Sequence, residues 1–358
     1  MKKILVWISW WVDSAIAAYL LKQEWYEVVG GFMKNYVSDT GKCTTYEDAE
    51  EAIKVARFLW IELMSFDLQK EYNEKIIEYI YSGYKQWLTP NPDVLCNSLI
   101  KFDVFLQKAI ELWFDYIATG HYARIEKATK TKVKTTLTKG DESYKLLRWV
   151  DYNKDQSYFL AWLNQFQLSK SLFPIWWYTK PEIRALAKKI GLPNAARKDS
   201  QWLCFIGNIP IKDFLLKRLP RKEGNIVDRE GNIVGKHEWA YFFTIGQRQW
   251  LRLPFKAYVI KTDVKENIVI VGQKEDEALF GKDIMTTWRH RIRKQYSLPT
   301  KISAKIRYRQ EPQEAEIKKN KKGEIIVSFK EKQRAVAPGQ TVVAYKKDEC
   351  IGSGIITR

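Results

Sequence analysis

The chain is poor in the residues from which metal centres and disulfide scaffolds are built. Its 358 residues include four cysteines and three histidines. Cys43, Cys96, Cys204 and Cys350 lie far apart and form no Cys-x-x-Cys pair. That excludes a zinc ribbon or a small disulfide fold and fits a reducing cytoplasm. So few histidines argue against a His-rich centre, and no metal site is expected. No stretch approaches the roughly 20 clean apolar residues of a membrane helix, so no membrane contact is expected. The opening "MKKILVWISWWVDSAIAAYLL" has the outline of a secretory signal, but Asp13 interrupts its apolar run. Acidic residues are in deficit as well: 42 Asp and Glu against 60 Lys and Arg leave a formal charge of +18. Such an excess points to a polyanion, nucleic acid first, because Lys and Arg supply salt-dependent phosphate contacts. A solvated, lysine-rich surface is the plainer alternative. Apolar side chains, by contrast, make up 46% of the chain, enough to give two or three domains a core.

From residue 2 to about 120, strand and helix patterns alternate. "KKILVWIS", "YEVVGGFMK", "IELMSFDL" and "FDYIATGHYARI" read as strands. Helices are expected over 13–23, in "TYEDAEEAIKVARFLW", and through 71–86 and 98–112. Such alternation predicts an α/β fold with a doubly wound, Rossmann-like parallel sheet. Ligands in such sheets sit at the carboxyl ends of strands, where Ser9 to Ser14 and Thr119 to Tyr122 fall. Residues 154–217 read as mostly helical, with "QSYFLAWLNQFQLSKSLF" and "KPEIRALAKKIGLP" as helices. From about 220 the period becomes that of strands and hairpins. The expected division is 1–217, an α/β domain with a helical part, then 218–280, a small β domain. A barrel-like β domain over 281–358 follows.

The stretch "ILVWISWWVDSAIAAYLL" has the strand–turn–helix outline that places phosphates at a helix N-terminus. Such a turn needs small residues so that backbone N–H groups can approach the anion, yet it holds Trp10 and Trp11. The fifteen tryptophans are oddly placed elsewhere too. In "LLKQEWYEVVGG", "ARFLWIELMSF" and "AIELWFDYIATG" a helix ends, one Trp follows and a strand begins. That junction asks for a left-handed residue, usually glycine, as in "LAKKIGLPNA". Trp25, Trp60 and Trp113 thus stand at glycine positions, and Trp10, Trp11, Trp176 and Trp177 also lie in turns. Glycine encoded by UGA and read as tryptophan would produce this pattern, sparing Gly30, Gly120, Gly191 and Gly246. Ordinary aromatics account for one or two such positions but not for the repetition.

With glycine at 10 and 11, "SWWVDS" resembles the signature of the PP-loop ATP pyrophosphatases. The motifs "FMKNY" (32–36), "TPNPDVLCN" (89–97), "ATGHYARI" (118–125), "KDQSYFL" (154–160), "KDSQWLCFIG" (198–207), "FFTIGQRQW" (242–250) and "IRYRQ" (306–310) follow in order. Together they resemble tRNA-specific 2-thiouridylase along essentially the whole chain. Trp7, Trp87, Trp202, Trp239 and Trp250 also fall where that pattern usually has glycine. The resemblance implies an ATP-dependent sulfurtransferase that adenylates the wobble uridine and thiolates its carbon 2. It assigns ATP to Trp7, Ile8, Ser9, Trp10, Trp11, Val12, Asp13, Ser14, Met33 and Gly120, with Mg²⁺ accompanying the nucleotide. It makes Cys204 the persulfide carrier and Cys96 its resolving partner, through a transient Cys96–Cys204 disulfide. Asp93 becomes an acid/base or base-positioning group, and Asn91, Pro92 and Asp93 meet the target base. Further tRNA contacts fall on His121, Lys154, Asp155, Gln156, Arg307, Tyr308 and Gln340. The implied partners are lysine, glutamate and glutamine tRNAs and a sulfur donor, either a cysteine desulfurase or a relay protein. Plainer readings stand beside these. Asp13 and Ser14 fit a helix cap, "IRYRQ" fits a solvated edge strand, and Cys43 and Cys350 fit buried hydrophobes. Two other functions remain open: an inactive RNA-binding relative, should Trp10 and Trp11 be genuine, and a PP-loop enzyme acting on a small metabolite.

Overall fold

The structure is a computed structural model that describes residues 1–35, 45–128, 143–152, 154–197, 211–292 and 296–357. Its first sheet is built around β1 (Lys3–Trp7), whose Ile4, Leu5 and Val6 are wholly buried. A strand buried on both faces belongs at the centre of a parallel sheet. β1 pairs in parallel with β2 (Glu27–Lys34) on one side and β4 (Tyr116–Ala118) on the other. β3 (Glu62–Asp67) and β7 (Ser171–Leu172) complete the order β3-β2-β1-β4-β7. Helices α1 (Val12–Gln23) and α2 (Thr45–Leu59) cover one face with the helix Lys180–Lys189, packing on Ile4 and Val6. The other face, with Leu5 and Val29, receives Phe105 and Leu106. The expected α/β class is confirmed. The strand order reverses between β1 and β4, and the crevice at their carboxyl ends is where such sheets bind ligands.

Two local expectations change. "FDYIATGHYARI" is not one strand: β4 stops at Ala118, and β5 (Arg124–Lys127) starts after a turn. The turn is needed because Gly120 lies against α1. A β-carbon there would come within 2.6 Å of the Asp13 carbonyl carbon and the Ser14 amide nitrogen. "QSYFLAWLNQFQLSKSLF" is not one helix either. Ser157–Trp162 forms turns, and only Gln165–Ser169 is helical, started by Asn164, which accepts from the Gln167 amide.

The second sheet joins β8 (Gly224–Val227), β9 (Ile233–His237), β10 (Tyr258–Asp263) and β11 (Ile268–Gly272) in the order β10-β11-β8-β9. The third contains β12 (Phe280–Arg291), β13 (Thr300–Lys305), β14 (Gln313–Lys319), β15 (Ile325–Arg334), β16 (Thr341–Lys346) and β17 (Glu349–Ile356). Pairing of β12 with β17 closes these six strands into a barrel. β5 and β6 (Tyr144–Leu147), from the first half of the chain, extend this sheet through β6 and β17.

Candidate active site and tRNA-contact surface

The turn after β1 is held by its own hydroxyls. Ser14 Oγ donates to the Trp11 carbonyl at 3.1 Å and accepts from the Ser9 amide at 3.1 Å. No side chain caps α1, so the plain cap reading of Asp13 and Ser14 does not describe this turn. Asp13 instead turns outward from the helix. Its carboxylate accepts from Lys180 Nζ at 2.7 and 2.8 Å and from the Tyr122 hydroxyl at 2.6 Å. Tyr122 sits just beyond Gly120, and Lys180 opens the helix Lys180–Lys189, so the crevice between β1 and β4 gathers all three. Asn194 donates to the Trp10 carbonyl at 3.1 Å. Trp10 and Trp11 pack ring to ring at 5.3 Å within the turn. Met33 is buried in β2, one strand away.

A second element carries Asp93 and Cys96. Pro92 starts a helix, as its fixed φ suits the first position. Pro92–Cys96 continues as a π-helical stretch, Asn97–Val104, and then as Phe105–Glu111. Widened turns of this kind recur at functional sites. Asp93 and Cys96 are three residues apart, on one helix face. Desolvation pushes the Asp93 carboxyl above the usual carboxylate range, against the pull of Lys101. Lys101 is itself buried, with its ammonium 3.9 Å from the centre of the Trp7 ring. It also acts on His121, whose pKa is held well below the ordinary value by burial first and by Lys101 second. His121 Nδ1 lies 2.6 Å from Thr119 Oγ1, its ring among Phe102 and Phe173. Lys101 therefore sets the end of β1 beside the helical run that bears Asp93 and Cys96.

The residues singled out for tRNA gather behind that helix. Gln340, at the start of the barrel's β16, donates to the Thr89 carbonyl at 2.8 Å. Asn91 reaches the Tyr158 hydroxyl at 3.4 Å. Phe159 packs on the Tyr308 ring at 4.3 Å, and the Tyr308 hydroxyl donates to the Lys154 carbonyl at 3.4 Å. Arg307 donates to the carbonyls of Arg334 and Ala335 at 2.9 and 2.6 Å. Gln156 accepts from the Tyr122 amide at 2.9 Å, tying this group to the first crevice. Asp155 faces inward and is 1% exposed.

Cys204 and Cys43 lie outside the described residues, so the structure shows no relation between Cys96 and Cys204. Cys350 is buried in β17, and burial, with the Asp155 charge adding to it, pushes its thiol far up. That fits an inert core residue. Among the described residues no group of three His, Cys, Asp or Glu side chains could hold a metal ion, and no helix is long and apolar enough to cross a membrane. Sequence reading missed Lys101 and Lys180, and took in Tyr122 only as part of a strand-end stretch. Lys101 lies five residues beyond Cys96 and Tyr122 beside His121, so both stood within reach of the motifs. Nothing marked Lys180 among so many basic residues.

Comparison with known proteins bears on what this arrangement is for. Residues 2–208 match the family described as tRNA methyl transferase HUP domain. Residues 212–273 match a tRNA methyl transferase PRC-barrel domain and 284–356 an aminomethyltransferase beta-barrel domain. The tRNA-specific 2-thiouridylase MnmA of Lysinibacillus sphaericus is 40% identical over 361 residues, covering 99% of this chain and 94% of that protein. The chain belongs to the tRNA-specific 2-thiouridylase family. The MnmA of Christiangramia forsetii is 39% identical over the full length of both chains, and MnmA 1 of Geobacillus kaustophilus is 42% identical over 99% of this chain and 95% of its own. The chain is therefore an enzyme of the 2-thiouridylase type, with that family's three-part order of a HUP domain and two β domains.

Proposed function

We propose that this enzyme adenylates the wobble uridine of tRNA with ATP and replaces its 2-oxygen by sulfur through a cysteine persulfide. The observation that carries the reading is the end of β4, where Gly120 lies against Asp13 and Ser14 and the next residue, His121, packs 5.7 Å from Phe102 of the helical stretch that follows Cys96. One crevice can then hold the nucleotide and the base together.

The uridine 2-oxygen attacks the α-phosphorus of ATP, and pyrophosphate leaves. Asp13 stands beside the phosphate turn, and the Mg²⁺ that accompanies ATP would neutralise the leaving phosphates. Lys180 and Tyr122 keep Asp13 oriented. The terminal sulfur of the Cys204 persulfide attacks carbon 2, and AMP leaves with the former 2-oxygen. The Cys96 thiolate then attacks the Cys204 sulfur, breaking the sulfur–sulfur bond. Sulfur stays on the base and a Cys96–Cys204 disulfide forms, to be reduced by an external thiol. Asp93, whose carboxyl is pushed up by desolvation, meets the base and takes part in its proton transfers. The wobble base is splayed from its neighbours to enter the crevice. Asn91, Lys154, Arg307, Tyr308 and Gln340 meet the anticodon arm, with lysine, glutamate and glutamine tRNAs as substrates. A cysteine desulfurase or a relay protein supplies the sulfur, in the cytoplasm. What supports this is family membership together with the gathering of the motif residues around Asn91.

The test is thiolation of a lysine tRNA transcript with ATP and a persulfide donor, read as 2-thiouridine by nucleoside mass spectrometry. Product that depends on ATP, Cys96 and Cys204 is expected. Undiminished product from Cys204→Ser would overturn the persulfide route. One observation favours a second reading: the paired indoles of Trp10 and Trp11 fill the phosphate turn. If they are genuine, the chain binds tRNA without turning over ATP, and the same assay returns no product while gel-shift binding persists.

A further inference from the structure

Four helices of this protein end in the same way as a fifth, and only the fifth ends in glycine. After the helix Lys180–Lys189, Gly191 takes φ +75°. Its N–H bonds the Lys188 carbonyl at 3.1 Å, and the next N–H, of Leu192, reaches back to Ala187 at 2.9 Å. This double bond pattern satisfies the last carbonyls of a helix and requires a left-handed residue. Trp25 and Tyr26 repeat it on Lys22 and Leu21, both at 3.2 Å, with φ +61° at Trp25. Trp60 and Ile61 do so on Arg57 and Ala56, with φ +52°, and Trp87 and Leu88 on Tyr84 and Gly83, with φ +66°. Trp113 and Phe114 do so on Ile110 and Ala109, with φ +63°. Trp250 follows at φ +73° outside a helix.

Tryptophan is a poor occupant on two independent counts. A β-carbon at positive φ crowds the neighbouring carbonyl, and bulky residues rarely adopt it. Of the nine described non-glycine residues with positive φ, five are tryptophan; Asn267, the residue type that tolerates it, is one of the other four. Nor does burial compensate the strain, although burial is what an indole ordinarily contributes. Trp25, Trp60 and Trp113 are 83, 88 and 89% exposed.

We propose that the working polypeptide carries glycine at the positions of Trp25, Trp60, Trp87, Trp113 and Trp250, encoded by UGA and decoded as glycine, and that this decoding extends to Trp7, Trp10 and Trp11. The helix-end part stands on backbone geometry alone. The extension to the turn after β1 rests on the nucleotide-dependent reading given above. The experiment is to sequence the gene and to obtain peptide masses from the protein purified from its source organism. UGA at the five codons and glycine masses in the five peptides are expected; UGG codons or tryptophan masses overturn the proposal. A peptide spanning residues 4–22 reads the turn separately, and tryptophan there overturns the extension while the helix ends stand. A glycine-bearing chain that fails to thiolate tRNA would count against the enzymatic reading and leave the decoding intact. As a second readout, the combined variant Trp25→Gly, Trp60→Gly, Trp87→Gly and Trp113→Gly melts at higher temperature than the tryptophan form; a lower melting temperature overturns the proposal.

Discussion

Two regions of this protein hold an aspartate in desolvated surroundings, and they treat it in opposite ways. At the joint between the α/β domain and the barrel, Asp155 is saturated. Its carboxylate accepts from the Trp149 and Ser157 amides at 3.2 and 3.1 Å, from Ser157 Oγ at 3.0 Å, and from Arg148 and Lys305 at 3.3 Å each. Burial pulls the Lys305 ammonium down, and Asp155 pulls it back up. In the crevice, among the described residues, Asp93 receives no hydrogen bond to its carboxylate and only Lys101 acts on it as a counter-charge. The saturated group fixes two parts of the chain to each other. The unsaturated one keeps its hydrogen-bonding capacity for something that arrives from outside, and perturbed groups of that kind cluster at working sites.

Breaking the joint gives the largest change in stability. Asp155→Ala leaves Lys305 buried without its anion and Arg148 with the exposed Glu311, and the expected loss is about 3–5 kcal/mol in a urea titration. Asp93→Asn keeps its melting temperature and loses thiolation by roughly a hundredfold or more, the scale of general acid–base catalysis. Equal effects of the two variants on melting would erase the contrast. Lys180→Ala comes next: without its partner Asp13 loses its orientation, and kcat/KM for ATP falls roughly tenfold with melting little changed.

Acidity sharpens the same contrast. The folded Asp93 holds its proton to higher pH than the unfolded chain does, so its contribution to stability is lost as pH rises through the raised pKa. His121 works in the other direction. Its folded ring stays neutral where the unfolded ring is protonated, so acidification below about 6.5 favours unfolding. Urea midpoints across pH for Asp93→Asn and His121→Gln are each expected to be flatter, the first by removing a loss on raising pH above the ordinary carboxylate value and the second by removing a loss on acidification. The smallest effect is Trp25→Gly alone, remote from both regions, which relieves about 1 kcal/mol of left-handed strain and raises the melting temperature by a few degrees.

The sheet and the barrel were legible because period-two and period-3.6 patterns survive in long elements such as β2, α2 and β15. The stretch Ser157–Trp162 was misread as helix for an identifiable reason. Its apolar spacing fits a helix, but Ser157 is bound to Tyr345 and Tyr158 to the Thr341 carbonyl, both long-range contacts. Tertiary demand overrode local propensity. The break after Ala118 follows from the approach of Gly120 to α1, which sequence shows only as one glycine. Among the site residues, motif order found Asp13, Asp93 and Asn91, while Lys180 entered through a salt bridge spanning 167 residues.

The pairing of β6 with β17, Leu147 opposite Glu349 and Leu146 opposite Cys350, has a consequence for how such a chain can be shortened or recombined. A gene product truncated before the barrel would keep β6 but leave its outer edge unpaired, offering a ready template for other strands. Trimming the barrel would therefore yield insoluble protein instead of a minimal catalyst. A barrel expressed alone would lack the hairpin that β17 expects. Exchanges between relatives are best made with the hairpin and barrel moved as one cassette, although residues 148–279 of the chain separate them.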